Sequence, residues 1–260
     1  MFGPNIESMC RAGDIAGLLT LATGEKQKKA RKAFDALGRV DDTAIPALAA
    51  ELEGSQLDRR LAAAIGLATK VEQGSQPARD VASGYVSHPS EVEVTAVLLE
   101  ALAQAPDADA AEATLSFLGS PICPLCRPRS RNEIEIMPDR MTANQMMGMM
   151  MTPDDRRELL VPAFTILAAE PRQDATEFLT RELLWQDPTV QAFAEELAAN
   201  DLLSHELSRV DNADFHIKEA AVAALSALGD TKAVRAALGS ALSDDDERVV
   251  EAARAALDCL

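Results

Sequence analysis

The sequence predicts an all-α protein, an array of about seven stacked helical hairpins running along the chain. Three observations predict it. Apolar residues recur at helical spacing in successive runs, each opened by helix-start chemistry. A stretch of the N-terminal part is repeated near the C-terminus. The composition is that of closely packed helices: of 260 residues 47% are hydrophobic but only 3% aromatic, so the apolar mass is Ala, Leu, Val and Ile. Ala and Leu are strong helix formers, small side chains let helices approach, and the aromatic and Thr runs of a β-rich chain are missing.

The repeat is direct. Residues 28–52, KKARKAFDALGRVDDTAIPALAAEL, resemble residues 218–242, KEAAVAALSALGDTKAVRAALGSAL. Each gives an amphipathic helix ending in Leu-Gly (Leu37-Gly38, Leu228-Gly229) and an Asp-containing turn. A second helix follows, with Leu one turn apart (Leu48 and Leu52, Leu238 and Leu242). Another Ala-rich helix comes after each, at 57–68 and 246–257. The period is about 30 to 35 residues, the length of two short helices and two turns.

The elements then follow in order. A leading helix is expected over 5–11. First helices are expected over 25–38, 56–72, 90–105, 154–169, 188–199, 213–228 and 244–258. Second helices are expected over 14–22, 43–53, 77–87, 109–118, 173–185, 201–209 and 231–242. Ser55 with Asp58, Ser90 with Glu93, Thr152 with Asp155 and Ser243 with Asp246 have the spacing in which a cap hydroxyl takes an orphan N–H and the acid reaches back. Pro153 and Pro188 suit first helical positions, where no N–H is needed.

The segments ARKAFDALGRVDDTAIPALAAEL and EAAVAALSALGDTKAVRAALGSALSDDDERVVEAARAAL resemble HEAT repeats of the short, phycobilin-lyase-like type. The resemblance is carried by residues 25–70 and 213–260, with degenerate units between. It implies a right-handed α-α superhelix, an armadillo-like α-solenoid. It also implies the work such arrays do: scaffold, adaptor or subunit of an assembly, and in a minority an enzyme or a helper of chromophore-attaching enzymes.

One stretch breaks the pattern. Residues 119–152 hold Pro121, Pro124, Pro128 and Pro138 and cannot form one continuous helix. The chain therefore divides into repeats over 1–118, an irregular Pro- and Met-rich insertion over 119–152, and repeats over 153–260. The insertion has four Arg against three acids, a charge of +1. The whole chain is −17, which leaves −18 for the remainder, so the insertion reads as the electrostatic exception. Long irregular segments in compact arrays are often functional; a plain connector is the alternative.

Three features of the insertion are candidate sites. Cys123 and Cys126 have the spacing of half a zinc knuckle. No second Cys pair follows, and Cys10 and Cys259 lie at opposite ends of the chain. A redox pair would sit after a strand, and two ordinary reduced thiols are the preferred reading. Arg127, Arg129 and Arg131 suit a carboxylate or phosphate, or the protein's own acids. Met146, Met147 and Met150 belong to a run (Met137, Met141, Met146, Met147, Met149, Met150, Met151) that fits a mouldable apolar contact surface. The simpler reading is a short helix filling an irregular gap.

No catalytic constellation is evident. His205-Glu206 begins like a metalloprotease helix, but residue 209 is Arg. His88, His205 and His216 are isolated, and no nucleophile elbow, P-loop or dinucleotide fingerprint appears. Asp244, Asp245, Asp246 and Glu247 coincide with a helix start, where the dipole favours carboxylates. Calcium would need a loop with a turn-making Gly.

A net charge of −17, one Trp (Trp185) and one Tyr (Tyr85) disfavour nucleic acid and anionic membranes. Four Cys do not make a disulfide scaffold, no signal peptide is evident in MFGPNIESMCRAGD, and no run reaches the ~18–20 apolar residues of a span. The expectation is an acidic, cytoplasmic, non-catalytic scaffold with no cofactor, binding another protein on its concave face. The alternatives are an accessory subunit or lyase-like protein working with a modifying enzyme, and a zinc-stabilised regulatory protein.

Overall fold

The computed structural model describes residues 5–119, 153–184 and 204–260, the side chains of 153–156 and 204–213 excepted. Among these residues the regular structure is thirteen α-helices and one 3-10 turn, with no strand. The chain divides into two compact units, Met1–Phe117 and Leu118–Leu260.

The first unit opens with α1 (Ile6–Ala12), capped by Asn5 and stopped by Gly13 at φ 63, a left-handed turn that Gly adopts without steric cost. Asp14 then caps α2 (Ile15–Ala22) through a 2.9 Å bond from the Gly17 N–H. Next come α3 (Gln27–Leu37), a 3-10 turn at Asp42–Ala44, α4 (Ile45–Leu52), α5 (Leu57–Glu72), α6 (Gln76–Ser87), α7 (Val92–Ala103) and α8 (Ala108–Gly119). Pro46 lies in the first turn of α4 and Pro77 in that of α6, where a missing N–H costs nothing. The helices pack in successive pairs, α4 on α5, α5 on α6 and α6 on α7, while α5 also meets α3 and α7.

Helix α5 is the hub, and its sequence explains why. Ala62, Ala63, Ala64, Gly66, Leu67, Ala68 and Val71 are all buried. With so many small side chains the helix can be covered on several sides at once. The approach is closest where α3 ends: a Cβ on Gly66 would stand 3.2 Å from Leu37 Cβ, and one on Gly38 would stand 2.5 Å from Thr69 Cγ2. Leu37, Leu48 and Leu67 are completely buried around these contacts, each stabilising the fold by about 2 kcal/mol.

Polar bonds tie neighbouring hairpins together at the spacing of the repeat. Arg39 reaches Glu7 at 2.9 Å, 32 residues back. Ser75 Oγ donates to Asp42 at 2.9 Å across 33 residues, and Lys70 Nζ joins the same carboxylate at 3.4 Å. Arg60 reaches Glu91 at 2.8 Å across 31 residues, and Arg79 reaches Asp107 at 2.8 Å across 28. Ser116 Oγ donates to the Ser87 carbonyl at 3.3 Å, 29 residues away. Side chains about 28 to 33 residues apart are thus bonded repeatedly along the first unit.

The second unit contains α9 (Pro153–Ala168), α10 (Gln173–Leu183), α11 (Ser204–Ala227), α12 (Lys232–Ala241) and α13 (Glu247–Cys259). Its core joins Leu160, Phe164 and Leu167 of α9 with Phe178 and Leu179 of α10 and Leu225 of α11. Phe164 and Phe178 meet edge to face at 6.2 Å, the arrangement their quadrupoles favour. Helix α11 packs against all four other helices of the unit, and α12 packs on both α10 and α13.

Several expectations are corrected. The helices expected over 201–209 and 213–228 are one helix, α11. Residues 209–213 contain neither Gly nor Pro, and their Asp and Asn do not stop a helix held by packing. The expected Ser caps do not act as such: α5 starts from Gln56 and α7 from Glu91, neither with a side-chain cap bond, and α13 is capped by Asp246 rather than Ser243. Ser90 instead shares a 2.8 Å bond with the Tyr85 hydroxyl and accepts one from Arg60. Pro153 does open α9, whereas Thr152 and Pro188 lie outside the described residues.

Candidate functional site

Helices α10 and α12 stand side by side and leave a groove of about 810 Å³ between them. On α10 it is lined by Gln173, Thr176, Glu177, Thr180 and, just past the helix, Leu184; on α12 by Ala233, Ala236, Ala237 and Ser240. Both sets recur at three- and four-residue steps, so each is one stripe of its helix. The α12 stripe is made of small side chains, which leaves room for a channel against α10.

The hydroxyls of that lining are turned to their own helices. Thr176 Oγ1 donates to the Arg172 carbonyl at 3.0 Å, Thr180 Oγ1 to the Thr176 carbonyl at 2.7 Å, and Ser240 Oγ to the Ala236 carbonyl at 3.0 Å. With their protons used locally, these hydroxyls add little donor capacity to a mainly apolar wall. Arg172 and Lys232 add positive charge and Glu177 negative charge. Leu184, at 42% exposure, is a large apolar side chain open to solvent beside it. Such a surface suits an apolar or amphipathic segment better than a small charged metabolite.

The acidic run at 244–247 has a structural role. Asp244 pairs with the buried Lys218 at 2.8 Å, and Lys218 also faces Asp214 at 3.6 Å. Asp246 caps α13 through the Arg248 N–H at 2.9 Å and holds the Arg248 guanidinium at 2.7 Å. That guanidinium lies 4.3 Å from the Phe215 ring centroid on α11. The bond from Arg248 is the main reason the Asp246 carboxyl titrates below the usual range, with burial opposing it. The run thus fastens α13 to α11.

Cys123, Cys126, Arg127, Arg129, Arg131, Met146, Met147 and Met150 lie outside the described residues, as does Trp185. His205 is on α11 at a position whose side chain is not described. His88 ends α6, and His216 faces Glu219 at 3.2 Å. Among the described residues no three His, Cys, Asp or Glu side chains gather as a metal site would require. Cys10 donates to the Ala36 carbonyl at 3.4 Å, and Cys259 is exposed. No described helix is long and apolar enough to cross a membrane.

Two features escaped the sequence reading. The groove could not be found from periodicity, because Ala and Thr on a helix face read equally well as close packing. The second was legible: Lys26, Lys28, Lys29, Arg31 and Lys32 put five cations in seven residues, so the insertion at 119–152 is not the chain's strongest electrostatic exception. Reading charge over long segments hid it. The chain matches no protein-family model and no curated protein sequence.

Proposed function

We propose that the protein is a non-catalytic scaffold, an α-solenoid of the HEAT type whose second helices form a concave face that binds another protein. The observation that carries the reading is the α10–α12 groove, a mainly apolar channel between two helices expected as second helices of hairpins. The repeat-spaced polar bonds within the first unit support stacked hairpins there, and α10 against α12 follows the same logic in the second. A helix or extended segment of a partner would lie along the channel, its apolar side chains against Ala233, Ala236 and Thr180.

The test is a pull-down from the native host with the intact chain and with Ala236→Arg. Ala236 is exposed on the groove wall, so the substitution fills the channel and leaves the core untouched. Partners recovered reproducibly by the native chain and lost with Ala236→Arg are expected. No reproducible partner, or a set of partners indifferent to the substitution, defeats the reading.

A further inference from the structure

Among the described residues, the densest run of cations is on α3 and its N-cap. Its N-cap is Lys26, which makes no capping bond, and its first turn carries Lys28 and Lys29 with no acidic residue. Helices α1, α5, α7, α8, α10 and α13 each have an acid in their first turn, as the helix dipole favours. α2, α4, α6 and α12 carry no acid there either, but α3 adds Lys28 and Lys29, and Arg31 and Lys32 extend the positive charge into its second turn.

These cations also lack close ion-pair partners, although Lys32 is near enough to Glu7 to help lower its pKa, behind Arg39. Lys26, Lys28, Arg31 and Lys32 are exposed and Lys29 is half-buried. None of the five forms an ion pair among the described residues, although Arg39, a few residues on, is paired to Glu7. Asp35, one turn beyond Arg31, gives its carbonyl to Arg39 and makes no salt bridge with Arg31 or Lys32. Ala33, Ala36 and Leu37 are buried and fix the inner side of the helix. Lys28, Arg31 and Lys32 therefore share its outer face at three- and four-residue spacing. The argument rests on this face and not on the open amides of the helix end.

From this arrangement we infer that the outer face of α3 is an interaction surface for an acidic protein segment, with carboxylates meeting Lys28, Arg31 and Lys32. Size selects the partner. From Lys26 to Lys32 the helix rises about 9 Å, while the rest of the chain has a net charge of −17 − 5 = −22. A nucleic-acid duplex, with a charge about every 1.7 Å along a rod, or an anionic bilayer would extend far beyond the patch and face the remaining negative surface. A short acidic segment meets the cations alone. This surface is separate from the α10–α12 groove and does not depend on it.

The test measures anisotropy of a fluorescein-labelled Glu-rich helical peptide against the full chain at low salt, beside a Gln-rich peptide of equal length. A DNA duplex and phosphatidylserine vesicles form the other arms. Binding of the Glu-rich peptide by a protein of net charge −17 is expected. It should weaken roughly tenfold or more with added salt and in Lys28→Gln/Arg31→Gln/Lys32→Gln, whose far-ultraviolet circular dichroism should match the parent. Ala236→Arg should bind the peptide normally. The proposal is overturned if the Glu-rich peptide does not bind, if the triple variant binds it equally well, or if DNA or vesicles bind more tightly. Loss of binding in Ala236→Arg would also overturn it, by placing the peptide in the groove.

Discussion

Lys218 Nζ lies 2.8 Å from Asp244 Oδ2, with the two side chains only 7% and 8% exposed. An ion pair this deep is held by geometry, and its removal from one side strands a charge away from water. The Asp244 carboxylate is further committed, its other oxygen accepting the Asp246 N–H at 3.0 Å. We predict that Lys218→Met lowers the unfolding free energy by about 3 kcal/mol. Lys218→Met with Asp244→Leu should recover most of that loss, because no buried charge is then left alone. Urea denaturation of the two variants and the parent checks it; a double variant as weak as the single one would refute the account.

The two Leu-Gly endings look identical in sequence and differ in physics. Gly38 has an ordinary helical φ of −71, and what requires glycine is the 2.5 Å that a Cβ would leave to Thr69 Cγ2. Gly229 has φ 88 and nothing within 4 Å of a Cβ, so backbone conformation is the constraint. Gly38→Ala should cost about 1–3 kcal/mol and be only partly rescued by Thr69→Ala, which removes the nearest methyl but leaves Thr69 Cβ at 2.8 Å. Gly229→Ala should cost about 1 kcal/mol and be rescued by no neighbouring substitution. Thermal unfolding of the three variants separates the cases.

That contrast marks how far the sequence reached. Helical periodicity located α3, α5, α6, α8 and α12 to within about two residues at either end, because one buried stripe per helix leaves its spacing in the chain. Cap chemistry was less legible. Ser90 had the right spacing from Glu93, yet its hydroxyl is used by Tyr85 and Arg60, partners no local pattern reveals. The groove was illegible for the same reason: Thr180 and Ala236 lie more than fifty residues apart, and only packing brings their faces to one channel.

Lys28 gives a prediction of the opposite sign. It lies in the first turn of α3, at the positive end of the helix dipole, with no carboxylate paired to it among the described residues. Lys28→Glu should stabilise the protein by about 0.3–1 kcal/mol at low ionic strength, and the gain should shrink as salt is added. The same substitution should weaken binding of an acidic peptide. A gain in stability with a loss of binding is the mark of a residue kept for contact rather than for the fold. Calorimetry at two salt concentrations measures the first effect, and no stabilisation at either would count against it.

The last prediction concerns acid. Burial pushes the Asp107 carboxyl up, but the 2.8 Å bond from Arg79, the 2.8 Å bond from the Ala110 N–H and the nearby positive charge outweigh it and hold the group below its ordinary value. Glu51, bonded at 2.7 Å and 3.0 Å by Arg59, is lowered chiefly by those bonds, and Asp246 by Arg248. A carboxyl with a folded pKa below its unfolded one stabilises the fold above the unfolded value, and loses that contribution as pH falls through the folded value. Stability should therefore be level from neutrality to about pH 5 and decline steadily below about pH 4. Asp107→Asn should be less stable than the parent at neutral pH and show a shallower acid decline, since the group that releases its bonds on protonation is gone. Melting temperatures measured across that range decide it: parallel curves for parent and variant would mean that Asp107 does not contribute through its charge.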